Sequence, residues 1–239
     1  MDDTAIYNGK EVDLRQKMTE ISQGMKDVNE FVGMVSVNRF QEYADISSVP
    51  KVILLVDYLA SSTTDKLDFE LIAFDDPFYI AYSSGTTGIP KCIVHSIGRC
   101  LISTIKEILL HREMGPEDTI LQYTTTGWIM YFFAISSIVL GSRSILYDGS
   151  PFQPDPITFI KLVGEQKVTI FGTSPRWMAE IQKNKIVPRN VTDLSNLKKV
   201  ITTGMVLSDQ LFEWFYDVGF PAKVHLGNIS GGTDLVNSI

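Results

Sequence analysis

The sequence predicts an α/β fold, a mainly parallel sheet flanked by helices, and three observations carry that prediction. From Phe78 onward, short apolar strands alternate with helical stretches. Such alternation calls for crossover connections, and crossovers build parallel sheets. Four clusters made largely of Ser, Thr and Gly follow strands, and open α/β sheets bind ligands outside the carboxyl ends of their strands. The chain has 239 residues, 44% hydrophobic and 21% charged, which suffices for one or two domains with a real core.

The first part of the chain is the less regular. Ala5-Ile6-Tyr7 reads as the end of a strand closed by an Asn8-Gly9 turn. A loosely amphipathic helix is expected from Val12 to Met25, with Leu14, Met18 and Ile21 among its apolar positions. Phe31 to Val37 reads as a buried strand, Phe40 to Pro50 as loop, and Val52 to Val56 as an apolar run of either type. Ser61 to Lys66 is a polar surface connection. Residues 1–76 form a leading α/β segment in this reading, and residues 77–239 an α/β core.

In the second part, Pro77 to Tyr82 reads as a buried strand and Cys92-Ile93-Val94 as the next. Ile97 to Glu113 is a long helix with Leu101, Ile105, Ile108 and Leu109 on one face. Thr119 to Tyr123 is a strand, Trp128 to Leu140 a buried helix, and Ser144 to Tyr147 a strand ended by Asp148-Gly149. Pro156 to Gly164 is a helix and Val168 to Phe171 a strand. Ser174-Pro175 opens the next helix with Ser at the N-cap and Pro at the first helical position. Lys199-Val200-Ile201 is a strand, Ser208 to Val218 a helix, and Val224-His225-Leu226 the last strand. His225 is expected in the core and His111 at the surface.

Composition excludes several functions. A net charge of -7 without a basic run argues against a general nucleic-acid surface. The most apolar stretch, Trp128 to Leu140, falls short of the roughly 20 residues needed to span a bilayer. Two cysteines, Cys92 and Cys100, point to a reducing, cytoplasmic setting rather than a disulfide framework. The short acidic start, Met1-Asp2-Asp3-Thr4, is no signal peptide.

The densest polar cluster is Ser83-Ser84-Gly85-Thr86-Thr87-Gly88, followed by Ile89-Pro90-Lys91. Small side chains let a backbone approach a ligand closely, and successive N–H groups form an anion-binding concavity. Hydroxyls and the Lys91 ammonium make a polyphosphate the simplest target. The loop matches neither G-x-x-x-x-G-K-[ST] nor G-x-G-x-x-G. Three further clusters follow strands: Thr124 to Trp128, Thr202-Thr203-Gly204 and Asn228 to Asp234. Four on one rim suit a nucleotide crevice. Asp234, the sole acid of the last cluster, suits a Mg²⁺ ion that also touches phosphate; taken alone it reads as a turn or cap residue.

Tyr82 to Lys91 resembles the phosphate-loop signature of the adenylate-forming superfamily, which comprises acyl-CoA synthetases, luciferases and peptide-synthetase adenylation domains. Tyr7-Asn8-Gly9-Lys10, Pro90 to Ser96, Thr126-Gly127-Trp128, Leu146 to Pro151 and Ser230 to Asp234 resemble its acetoacetate-activating branch. The resemblance runs from about Ala5 to the end. It implies part of the large N-terminal domain of an adenylate-forming enzyme. Its substrates would be acetoacetate, ATP and CoA, with Mg²⁺, and its product acetoacetyl-CoA by way of acetoacetyl-AMP.

The same resemblance implies roles for residues. Lys91 and Thr233 are catalytic. Ser83, Ser84, Gly85, Thr86, Thr87, Gly88, Gly231, Gly232 and Thr233 hold the phosphates, and Gly204 belongs to the adenine turn. Asp234 holds the metal where the superfamily usually has Glu. Trp128 and His95 are candidates for the substrate pocket. Two departures stand out: Met205-Val206-Leu207 replaces the usual Ser-Pro-Leu, and Tyr131-Phe132 replaces Trp-Asn. The second allows another short acid as substrate. The chain stops five residues after Asp234. On this reading it lacks the small carboxy-terminal domain with its catalytic lysine, and a non-catalytic ATP-binding module is the alternative function.

Overall fold

The computed structural model describes residues 1–7, 9–40, 45–83 and 88–238. The chain divides into two compact units, Met1–Glu70 and Leu71–Ile239.

In the first unit, Thr4–Tyr7 (β1) pairs antiparallel with Lys10–Asp13 (β2), Thr4 opposite Asp13. The link is the two-residue Asn8-Gly9 turn, and Gly9 takes φ +75°, the left-handed conformation such a hairpin needs. Asn8 itself lies outside the described residues. The hairpin consumes Val12, so the helix expected from Val12 begins later, as Arg15–Gly24 (α1). Asp13 marks the change of structure: its carboxylate accepts the Arg15 backbone N–H at 2.9 Å and a guanidinium N–H at 2.6 Å. The side-chain bond from Arg15, with the backbone bond behind it, holds the Asp13 carboxyl down at about 2.

The run Phe31 to Val37 supplies only Met34–Ser36 (β3), paired parallel with Val52–Leu54 (β4). It is not buried throughout, since Val32 is 93% exposed. Backbone turns from Val28 to Met25 and from Phe31 to Val28 occupy the chain just before it. The ambiguous run after Lys51 resolves into both types, β4 followed at once by Leu55–Ala60 (α2).

In the second unit, Pro77–Ser83 (β5) and Lys91–Ser96 (β6) form an antiparallel hairpin of their own. The apolar run of β5 was expected to be buried; only Ala81 is, and Phe78, Ile80 and Tyr82 are exposed. Ile97–Lys106 (α3) continues into a π-helical turn, Glu107–His111. The wider turn shifts the face of the helix. The buried positions are Gly98, Cys100, Thr104, Glu107 and Ile108, and Leu109 is exposed, unlike the stripe read from periodicity.

There follow Thr119–Gln122 (β7), Ile129–Ser136 (α4), Arg143–Ile145 (β8), Pro156–Glu165 (α5) and Ile170–Thr173 (β9). Then come Pro175–Lys183 (α6), Pro188–Val191 (α7), Lys199–Thr202 (β10), Asp209–Trp214 (α8) and His225–Asn228 (β11). Gly231–Gly232 (β12) and Asn237–Ser238 (β13) close the series as a short antiparallel pair. Helix starts follow their local chemistry. Asp155 accepts the N–H groups of Ile157 and Thr158 at 2.8 and 2.9 Å, and Ser174 Oγ accepts that of Trp177 at 3.3 Å, each with Pro at the first turn.

Five strands form one parallel sheet in the order β11-β10-β9-β7-β8. Strands β7 and β9 are buried along their whole length, as parallel strands covered on both faces must be. Phe159, Phe171 and Trp177 meet edge-on between sheet and helices, with centroids 5.2 to 6.1 Å apart, and Phe215 stacks on Phe220 at 4.5 Å. Each such fully buried side chain contributes about 1.5–3 kcal/mol. His225 was expected in this core, but it is exposed at the start of the edge strand β11.

Candidate functional site

Three parallel strands deliver the polar clusters to one rim. β7 ends at Gln122 and leads into Thr124 to Trp128, β10 ends at Thr202 before Thr203-Gly204, and β11 ends at Asn228 before Ile229 to Asp234. The fourth cluster follows β5, a strand outside the parallel sheet, and its residues 84–87 lie outside the described residues. It connects the antiparallel strands β5 and β6.

On the rim, a cleft of about 180 Å³ is lined by Trp128, Met130 and Phe133 on one side and by Gly204, Gly231 and Thr233 on the other. Ile129, Thr203, Ile229 and Gly232 complete it. Thus Trp128, Gly204, Gly231, Gly232 and Thr233, drawn from three clusters, meet in one place. Gly204 takes φ +89°, and a Cβ there would lie 2.8 Å from Cη2 of Trp128. The indole therefore lies against this turn, in a space only glycine leaves open.

A larger cavity of about 600 Å³ is lined by His95, Arg99, Ser103, Asp75, Asp234 and Val236, among others. Consecutive residues Thr233 and Asp234 thus line one cavity each. His95 ties the two parts together: its Nε2 donates to the backbone carbonyl of Thr233 at 2.9 Å. That bond places the proton of a neutral imidazole on Nε2. His95 therefore anchors the turn that carries Thr233 and Asp234, besides lining the cavity. The Asp234 carboxylate folds back over Gly232, its Oδ1 2.6 Å from where a Cβ on Gly232 would lie.

Lys91 is exposed and stands opposite Ser83 in the last pair of the hairpin register. Gly88 is exposed too. None of these three lines either cavity. Ser84, Gly85, Thr86 and Thr87 lie outside the described residues.

The metal expectation fits what is present. Among the described residues no group of three or more His, Cys, Asp or Glu side chains converges as a metal cage. Mg²⁺ is commonly held by one or two carboxylates with water and phosphate oxygens completing its shell. A single exposed carboxylate at the mouth of a Gly/Thr turn suits that habit.

Sequence reasoning missed several lining residues. Met130 and Phe133 lay inside a run read as buried helix, and the helix does bury them while presenting them to the cleft. Arg112 was missed altogether. It follows an amphipathic helix, where a charged residue ordinarily meets solvent. Instead it is buried with its guanidinium 5.0 Å from the Phe133 ring centre, and burial brings its pKa down to about 10 despite the nearby Glu107 carboxylate.

A family model described as AMP-binding enzyme matches residues 12–233. The acetoacetyl-CoA synthetase of Gallus gallus is 38% identical over 98% of this chain, and that of Danio rerio 39% over 97%. A malonamoyl-CoA synthetase of Penicillium aethiopicum is 35% identical over 98%. The chain spans 35% of the length of each of these relatives. Among solved structures, the acetoacetyl-CoA synthetase from Streptomyces lividans superposes on 99% of this chain with a TM-score of 0.85 at 30% identity, the match covering 36% of that structure.

Proposed function

The chain belongs to the AMP-binding enzyme family, and from that premise we propose that it is the nucleotide-binding part of an ATP-dependent acid–CoA ligase acting on acetoacetate. The cleft shared by Trp128, Gly204 and Gly231 to Thr233 carries this reading. It is small and largely apolar, and the Asp234 carboxylate follows its last lining residue. The named relatives act to form acetoacetyl-CoA or malonamoyl-CoA, both derived from short acids with a carbonyl on the β-carbon. Tyr131-Phe132 on α4, beside the lining residue Met130, keeps a second short acid of this kind as the alternative.

In the first half-reaction a carboxylate oxygen of the acid attacks the α-phosphorus of ATP, and the bond to pyrophosphate breaks. The carboxylate is already a nucleophile, so no general base is required. Both reactants are anionic, so catalysis consists of positioning and charge neutralisation. Lys91 supplies positive charge at the phosphate loop, and the Thr233 hydroxyl suits the α-phosphate. Asp234 would hold Mg²⁺, which when bound neutralises phosphate oxygens. Gly204 would seat the adenine end, and Trp128, with the apolar end of the cleft beside it, would take the carbon chain of the acid. In the second half-reaction the CoA sulfur attacks the acyl carbon and AMP leaves. Both thiols, Cys92 and Cys100, are free, which suits a reducing compartment such as the cytosol. No described helix is long and apolar enough to cross a membrane.

Pyrophosphate release from ATP and Mg²⁺ tests the reading, with acetoacetate, acetate or butyrate supplied to wild type, Lys91→Ala and Asp234→Ala. Release with acetoacetate, reduced at least a hundredfold in both variants, is expected. Equal release from wild type and both variants would overturn the residue roles. ATP binding without acid-dependent release would replace the ligase reading with a binding module.

A further inference from the structure

We propose that Phe133, its ring held by Arg112, limits the length of the acyl chain that the cleft admits. The inference rests on the reading above, in which the apolar end of the cleft takes the carbon chain.

Phe133 is 2% exposed and lines the cleft beside Trp128, Ile129 and Met130. An aromatic ring makes a hard stop only if it cannot turn aside. Two groups restrain this one. Phe132 meets it edge-on with centroids 6.3 Å apart, and the Arg112 guanidinium lies 5.0 Å from its centre. Arg112 is 3% exposed, and neither Nη1 nor Nη2 has a hydrogen-bond partner among the described residues. A desolvated cation is attracted to a ring face more strongly than a hydrated one. The backbone of Arg112 is pinned on both sides. Its N–H donates to the Glu107 carbonyl at 3.0 Å, and its carbonyl accepts from Lys199 Nζ at 2.9 Å. The fold thus fixes the guanidinium, the guanidinium fixes the ring, and the ring closes the cleft. Arg112 touches no reacting atom in this scheme and is a positioning residue.

Binding of ethyl-, butyl-, hexyl- and octyl-AMP, measured by titration calorimetry, tests this without requiring turnover. The proteins are wild type, Phe133→Leu and Arg112→Met, with thermal melts as the control for folding. Methionine removes the cation without orphaning an acid, because Glu107 keeps Lys106 and His111 within 3.3 Å. Wild type is expected to bind the short esters and to weaken on the order of tenfold from butyl to octyl. Phe133→Leu should recover most of that loss, and Arg112→Met part of it. Equal weakening for every ester in either variant would mark a merely structural role and overturn the proposal. So would an unchanged length profile in Phe133→Leu, with the ligase reading left standing. Should Phe133→Leu not fold, an unchanged profile in Arg112→Met overturns it alone. Failure of wild type to bind any ester would overturn the proposal together with the reading beneath it.

Discussion

Gly204 is the residue at which backbone and side-chain demands coincide. Its φ of +89° costs a residue with a Cβ about 1–2 kcal/mol, and Trp128 occupies the space that a Cβ would need. The neighbours do little to hold the turn, since Met205 and Val206 are exposed and the proline usual in this superfamily is missing. Packing of Trp128 against Gly204 therefore stands in for that rigidity. Gly204→Ala should weaken ATP binding roughly tenfold, about 1.4 kcal/mol, in a calorimetric titration. An unchanged affinity would mean that the indole moves aside freely and that the turn does not seat the nucleotide. The residue type was legible in the sequence, as a glycine after a strand. Its partner was not, because Trp128 precedes it by 76 positions and reaches it only through the order of strands in the sheet.

At the scale of elements, the informative case is the hairpin of β5 and β6. Four polar clusters at strand ends suggested one rim; three follow strands of the parallel sheet, and the fourth lies between β5 and β6. The fourth was decipherable from chain length alone: only seven residues separate Ser83 from Lys91. A parallel neighbour needs a crossover of about a dozen residues or more, so this pair had to be antiparallel. Caps, by contrast, were legible because they are local: Ser174 and Ser208, read as helix starts, each cap a helix. The tie between hairpin and rim is a contact across 138 positions, from His95 to the Thr233 carbonyl, which no local pattern encodes. His95→Ala should leave the sheet intact, cost about 0.5–1.5 kcal/mol in a denaturant melt, and speed amide exchange selectively across Gly231 to Asp234. Uniform exchange across the second unit would show the bond to be incidental. A selective change would explain how residues on a separate hairpin keep register with the turn bearing Asp234.

At the scale of the whole molecule, stability should depend on pH through a pair at the amino-terminal edge of the parallel sheet. Asp118 immediately precedes β7 and Lys198 precedes β10, and Lys198 Nζ donates to the Asp118 carboxylate at 2.7 Å. Burial pushes the Asp118 carboxyl up, but the Lys198 ammonium and the Gly115 N–H at 3.0 Å outweigh it, and the group rests below its ordinary range. A carboxyl depressed on folding adds stability above its unfolded value, about pH 3.9, and that stability is lost as pH falls through the folded value. The hydrogen bond to Asp118 raises Lys198. Its share is complete below the unfolded value of about 10.4 and is lost as pH rises through the raised one. The pair therefore stabilises across the neutral range and weakens at both extremes. Asp118→Asn should cost about 1–2 kcal/mol at pH 7, a figure reduced because Lys198 is half exposed and screened by solvent. Because protonation of Asp118 removes the same interaction from wild type, the gap between the two proteins should narrow as pH falls below about 4. Urea melts of both at pH 7 and pH 3 measure it. A gap of equal size at both pH values would mean that the loss at pH 7 comes from the shape of the side chain rather than its charge. The two partners lie 80 residues apart, and only the sheet order, with β9 between β7 and β10, brings their strands onto one edge.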